Sequence, residues 1–191
     1  MRQPALRQRR LKPAVDAAPS VPVTSSTDTM KAQGKAVARK RADPVPLDDG
    51  TVTLVGQHRF PLDAYSWELP EGGGPQDLPP IEGAQRELSE EAGLKAEHWL
   101  PLIEDVHLSN SITDERAFAF LAWGLSADHS FEKDSSEELS VRRVPFAEAV
   151  KMAVSGEITD GFSLVMLLKA DHLLRTGALP PELASLMLAG A

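Results

Sequence analysis

The 191-residue chain contains no cysteine. That removes disulfide frameworks, thiolate zinc sites and cysteine nucleophiles, and it fits a reducing compartment, so a cytoplasmic location is the expectation. Nowhere does the sequence approach the ~18 consecutive apolar residues that a membrane-spanning helix requires, and no membrane partner is expected. A sustained apolar period is also missing from residues 1–45, which are rich in Pro, Ser, Thr, Ala and basic residues. Such a composition buries too little apolar surface to offset its ordering entropy. Its basic start is followed by no apolar stretch, which argues against a secretory signal. Residues 1–43 therefore read as a disordered basic extension, 44–180 as the single folded domain, and 181–191 as a C-terminal tail.

The formal charge of -8 is unevenly spread. Residues 1–41 hold ten Lys or Arg against two Asp, which leaves ten basic and 26 acidic residues in the remainder. An acidic body repels phosphate backbones, so nucleic acid is excluded as a partner of the body, and a nucleotide handled there would need a cation to accompany it.

Two apolar runs flank Asp48-Asp49-Gly50, a turn chemistry that predicts a hairpin with strands near 44–47 and 51–57. A strand at Ser66–Leu69, a Gly/Pro-rich loop over 70–80 and a helix from Ile81 to Ala92 come next, with Gly93 as its stop. Strands near 99–108, 116–124 and 139–144 and helices near 146–155 and 161–176 complete the pattern. Mixed strands with one central helix and a helical end predict an α/β (α+β) fold: a mixed sheet with helices packed on both sides.

The chemistry concentrates in GGGPQDLPPIEGAQRELSEEAGL, residues 72–94. On a helix, Ile81, Ala84, Leu88 and Ala92 form a core-facing stripe, while Glu87, Glu90 and Glu91 share another face. Like charges at i, i+3 and i+4 repel, so this face is either left to water or used to bind a cation; with oxygen donors, a hard divalent ion is the fitting guest. Gly72-Gly73-Gly74 ahead of the helix lets the main chain turn sharply and approach it closely.

Strand, glycine loop and acidic helix together resemble the Nudix hydrolase family, whose box runs G-x5-E-x7-R-E-U-x-E-E-x-G-U with U aliphatic. Gly72, Arg86, Glu87, Leu88, Glu90, Glu91, Gly93 and Leu94 match at the required spacing, and Leu78 stands where the pattern has Glu. Gly56 to Pro61 and Tyr65 to Gly73 further resemble the ADP-ribose and nucleotide-sugar pyrophosphatases of that family. The resemblance covers about residues 45–176. It implies hydrolysis of the pyrophosphate bond of a nucleoside diphosphate linked to another group, with Mg²⁺ or Mn²⁺ as cofactor, a small nucleotide as substrate and room for a homodimer. Two alternatives stay open: a hydrolase of other nucleotide pyrophosphates or triphosphates, and a Nudix-fold binding module with weak turnover.

Residue by residue, the resemblance implies that Glu87 and Glu91 are the main metal ligands, Glu90 a further or shared one, and the Glu71 carbonyl a main-chain ligand. Arg86 would orient the glutamates, with Asp77 or Glu82 standing in for the missing acid at 78. The base would be a loop acid, Glu137 or its rival Glu138, or one of the box carboxylates Glu90 and Glu91. Gly72 and Gly73 would allow substrate to approach the backbone. Arg59 resembles a phosphate-gripping arginine and reads equally as a salt-bridge partner. Glu68 reads either as a partner of a metal-bound group or as a half-buried strand position. Trp67 reads as core.

Overall fold

The computed structural model describes residues 40–74, 77–128, 130 and 138–189. Its strands are β1 (Lys40–Asp48), β2 (Thr51–Arg59), β3 (Ala64–Glu68), β4 (Gly73–Gly74), β5 (Leu94–His107), β6 (Arg116–Ala127) and β7 (Ser140–Pro145). Its helices are α1 (Pro80–Ala92), α2 (Phe146–Ser155), α3 (Gly161–Arg175) and α4 (Pro181–Leu188), and a single 3-10 turn occupies Phe60–Leu62.

The strands form a mixed sheet in the order β3-β2-β1-β6-β5, with β4 added to β1 and β7 to β2. β1 runs parallel to β6 and antiparallel to β2 and β4. The hairpin expected at Asp48-Asp49-Gly50 is present: Asp49 (φ 43°) and Gly50 (φ 71°) both adopt the left-handed conformation of a tight two-residue turn, and Asp48 pairs with Thr51. The tip of this turn is anchored twice. The Gly50 amide donates to the Leu186 carbonyl, and the Gly50 carbonyl accepts from the Phe146 amide.

Alternation along β1 separates two faces. Val45 and Leu47 join Ala117, Ala119 and Leu121 of β6 in a core closed by Phe146, Met152, Phe162, Met166, Leu167 and Leu183 from α2, α3 and α4. On the opposite face Ala42 lies under α1, where a Cβ at Gly83 would stand 3.4 Å from the Ala42 Cβ. Helices thus cover both faces.

Three expected boundaries move. β1 starts at Lys40 rather than 44, so residues 40–43 belong to the fold and not to the extension. The segment 181–191, read as a tail, contains α4, whose Leu183 and Met187 are buried in the core. Each such side chain removed from water contributes ~1.5–3 kcal/mol, which offsets the ordering of a short helix. The strand expected from residue 99 begins at Leu94, directly after the Gly93 cap.

Pro44 and Pro46 sit inside β1, where a missing amide would normally break a ladder. The Ala42 amide points to the β4 side, donating to the Gly72 carbonyl at 3.3 Å. By alternation the positions of Pro44 and Pro46 face that same side. There β1 has already passed β4, whose pairing ends at Arg41, and meets β2 only at Leu47. The amide positions of the two prolines therefore face an edge of β1 that has no strand partner there, while the other edge stays paired with β6, and the sheet splits at this point. The candidate site fills the split.

Candidate functional site

Helix α1 carries the acidic residues. Pro80 opens it and Gly93 (φ 66°) closes it, the Gly93 amide donating to the Ser89 carbonyl at 3.0 Å. The acidic face is not a solvated one: Glu87 and Glu91 are each only 6% exposed, while the Glu90 side chain keeps 29%. Isolated buried carboxylates are costly, so each needs partners. Arg86 donates to Glu87 Oε1 at 2.7 Å and to the Gly73 carbonyl at 2.7 Å, and approaches Glu90 at 3.8 Å. Glu91 Oε2 accepts from the Glu71 amide at 2.8 Å. Among the described residues the ion pairs of Arg86 are with Glu87 and Glu90, not with Asp77 or Glu82. Leu78 lies half-exposed beside a small cleft shared with Lys40, Pro80 and Arg86.

The glycine loop comes close to this helix. A Cβ at Gly72 would fall 2.2 Å from the Glu87 carboxyl carbon, whereas at Gly73 the nearest atom would be the Lys40 carbonyl oxygen at 3.9 Å. Position 72 is the one where a side chain cannot coexist with Glu87 as placed. Gly73 pairs with Arg41 in the sheet.

Across the split stands a second set of charges. Arg59, at the end of β2, donates from Nε to Glu68 Oε1 at 2.9 Å and from Nη2 to Glu71 Oε1 at 2.8 Å. The pKa of its guanidinium is raised above its ordinary value, chiefly by the hydrogen bond it donates to Glu68, against the opposing effect of burial. Glu68 is buried on β3 and paired with Arg59, a partner that neither of its two sequence readings named. Trp67 packs against the core margin with the Arg142 guanidinium 5.7 Å from its ring centre.

Four contributors escaped the sequence reading. Arg41 pairs with Glu71 and, at 2.6 Å, with Asp43, and its guanidinium lies 5.7 Å from the centre of the Phe162 ring. Asp43 is fully buried and accepts from the Gly72 amide at 3.1 Å. Burial pushes the Asp43 carboxyl up from 3.8 to about 7, against the pull of Arg41 and the Gly72 amide. Asp160 caps α3 by accepting from the Ser163 amide at 2.7 Å, and Ser163 Oγ accepts from the Leu69 amide at 2.9 Å, fixing α3 to the strand that leads into the loop. The signal available for Arg41 and Asp43 was their i, i+2 spacing, which puts both on one side of an extended chain.

Of the loop acids, Glu137 lies outside the described residues. Glu138 is exposed ahead of β7. With Ser140 beside Gly56 in an antiparallel pair, it lies off the same end of β2 that bears Arg59.

The NUDIX domain matches residues 38–160. This chain belongs to that family. The match starts two residues before β1 and ends at the α3 cap, so it takes in the box helix, the split sheet and both arginines of the second charge set. Among curated relatives, an ADP-ribose pyrophosphatase of Mycobacterium tuberculosis is 33% identical over 141 residues, 71% of this chain and 65% of the relative. Another of the same name from Bacillus subtilis is 34% identical over 114 residues, 59% of this chain and 61% of the relative. The chain therefore spans slightly less than two thirds of either relative's length. A solved structure of an ADP compounds hydrolase shares the Nudix fold with a TM-score of 0.66 at 22% identity, over 73% of this chain and 74% of that one.

The donor set suits a hard divalent cation. Its oxygens come from carboxylates one helical turn apart on α1, which the main chain approaches closely at Gly72. Among the described residues no three or more His, Asp or Glu side chains are drawn together closely enough to hold a metal ion by themselves.

Proposed function

We propose that this Nudix protein hydrolyses the pyrophosphate bond of a nucleoside diphosphate linked to another moiety, with ADP-ribose or a nucleotide-sugar as substrate. The observation that carries the reading is the burial of Glu87 and Glu91 against the main chain of Glu71 and Gly72. Carboxylates gathered on one helix face beside a closely approaching main chain are the kind of oxygen donors that a hard divalent cation takes. The names of the two relatives, both ADP-ribose pyrophosphatases, supply the substrate class.

Glu87, Glu90, Glu91 and the Glu71 carbonyl would hold Mg²⁺ or Mn²⁺. When bound, the ion screens phosphate charge and lowers the pKa of water. The chain's own residues do the rest. Arg86 keeps Glu87 and Glu90 oriented. Glu90 and Glu91, and from the loop Glu138 or Glu137, are the groups that can take the proton of the attacking water, a contribution of ~10²–10⁴-fold. Arg59 offers its planar fork to the phosphate away from the attacked phosphorus. Glu68 and Glu71 hold Arg59 through Nε and Nη2 in the structure, which fixes the guanidinium while Nη1 is engaged by neither of them. The cysteine-free composition suits a cytoplasmic setting, and a homodimer is compatible with this reading.

The test is a panel of ADP-ribose, nucleotide-sugars, dinucleoside polyphosphates and nucleoside triphosphates, with and without Mg²⁺ or Mn²⁺, products being resolved by mass. AMP plus a sugar phosphate, formed only with metal, is the expected result. Turnover confined to triphosphates, or binding without turnover, would replace this reading with one of its alternatives.

A further inference from the structure

We infer that Asp43, supported by Arg41, is a positioning residue that sets the direction of the Glu71 carbonyl in the reaction proposed above. The argument starts from the peptide plane. The Glu71 carbonyl and the Gly72 amide belong to one planar, trans peptide unit, so they point in opposite directions and neither turns without the other. Asp43 Oδ1 accepts from the Gly72 amide at 3.1 Å. Fixing that N–H on Asp43 therefore aims the Glu71 oxygen away from β1. The Gly72 carbonyl is fixed as well, by the Ala42 amide at 3.3 Å. Consecutive β1 residues thus hold Gly72 at both its amide and its carbonyl.

Asp43 is in turn immobilised. Its second oxygen accepts from Arg41 Nε at 2.6 Å, and the same guanidinium pairs with the Glu71 side chain and faces the Phe162 ring at 5.7 Å. A charge-assisted contact of this kind holds geometry better than a neutral one. The amide of Glu71, at the other end of the residue, is tied to Glu91 at 2.8 Å. The main chain from Glu71 to Gly72 is thereby suspended between β1 and helix α1. The complete burial of this acid is explained by this task. The inference rests on the reading of the Glu71 carbonyl as a ligand.

The experiment compares the full-length chain with Asp43→Ala, Asp43→Asn and Arg41→Met. Three readouts are taken: Mn²⁺ dissociation constants from the electron-paramagnetic signal of free Mn²⁺, hydrogen exchange of the Gly72 amide without metal, and kcat and KM for ADP-ribose. Asp43→Ala should accelerate Gly72 exchange more than tenfold, weaken Mn²⁺ binding more than tenfold, and reduce kcat more than tenfold while KM changes less than threefold. Asp43→Asn retains an acceptor for the Gly72 amide and should recover most of each loss. If Asp43→Ala does not fold, Arg41→Met carries the test, since it leaves the carboxylate on Gly72 and removes its support. It should then weaken Mn²⁺ binding three- to tenfold. Wild-type Mn²⁺ affinity in Asp43→Ala, or in Arg41→Met where that variant carries the test, overturns the positioning role while the wild-type enzyme still binds metal and turns over. A wild-type chain that neither binds Mn²⁺ nor hydrolyses ADP-ribose overturns the ligand reading itself, and the positioning role with it.

Discussion

Gly72 and Glu87 occupy adjoining space so completely that a Cβ on residue 72 would lie 2.2 Å from the Glu87 carboxyl carbon. The clash is with the far end of a side chain and not with backbone, so the chain can accommodate a methyl group by moving Glu87. Gly72→Ala should therefore fold, with a Tm within a few degrees of wild type, yet lose ~10²-fold or more in turnover because Glu87 is displaced. Gly161→Ala, where no atom lies within 4 Å of the added methyl, is the control. Calorimetry and steady-state kinetics on both variants settle the point. A Gly72→Ala enzyme with full activity would show that Glu87 is not needed where the structure places it.

Glu91→Gln, and nearly as strongly Glu87→Gln, should lower kcat by several orders of magnitude with the fold intact. Three carboxylates crowd one helix face, and removing one charge relieves like-charge repulsion of a few tenths of a kcal/mol. Without metal the melting temperature should hold or rise. Glutamine also preserves the acceptor that the Glu71 amide uses at position 91. Retention of more than about a tenth of the wild-type rate in saturating Mg²⁺ would remove the metal-cluster reading, since even one lost general-base contribution costs ~10²-fold.

The box was legible because its information is local. Helix α1, its Gly93 stop and the Glu87, Glu90 and Glu91 face all follow from spacing within one segment. The same holds for the Asp48–Gly50 turn. Strand β1 was legible only in part, because its defining partner is β6, far along the chain and parallel to it. Pro44 and Pro46 also erase the usual strand signature, and nothing in the sequence says that their amide positions face an edge of β1 without a strand partner. Arg41 and Asp43 were lost with the start of that strand. Helix α4 was lost because eight residues give too short a period to read.

A pair of truncations tests the corrected boundary. A chain beginning at Lys40 keeps every residue of β1, whereas one beginning at Pro44 lacks Arg41, Asp43 and the Ala42 amide that holds Gly72. The shorter form should melt several degrees lower and lose most activity per folded molecule relative to the longer one. Equal activity of the two forms would return the boundary to residue 44.

Arg59→Ala should weaken kcat/KM for ADP-ribose or a nucleotide-sugar by ~10–200-fold, the equivalent of a charge-assisted contact of ~1.5–3 kcal/mol, mainly through KM. The structure adds a second expectation. Removing Arg59 strips buried Glu68 of its ion-pair partner, so thermal stability should fall as well. Arg59→Lys retains charge without the bidentate fork, and should recover stability more fully than KM. Unchanged KM for every diphosphate-linked substrate in Arg59→Ala would assign this arginine to the ion pair alone and favour another substrate class.

The last expectation concerns pH. The Asp43 carboxyl is raised from 3.8 to about 7, with burial the largest cause and Arg41 and the Gly72 amide opposing it. In the unfolded chain the same group releases its proton near 3.8, so between about 4 and about 7 the folded state binds more protons than the unfolded one. Linkage then makes the contribution of Asp43 to stability negative in slope: complete below the unfolded value and lost as pH rises through the folded one. Asp43→Asn has no proton to release and removes this slope while leaving the other carboxylates in place. The measurement is urea unfolding of both proteins without divalent cations from pH 4.5 to pH 8, compared as a difference. Wild type should lose stability relative to Asp43→Asn steadily across that range and level off above about pH 7. A difference that stays flat, or grows in favour of wild type as pH rises, would mean that Arg41 and the Gly72 amide keep Asp43 ionised throughout.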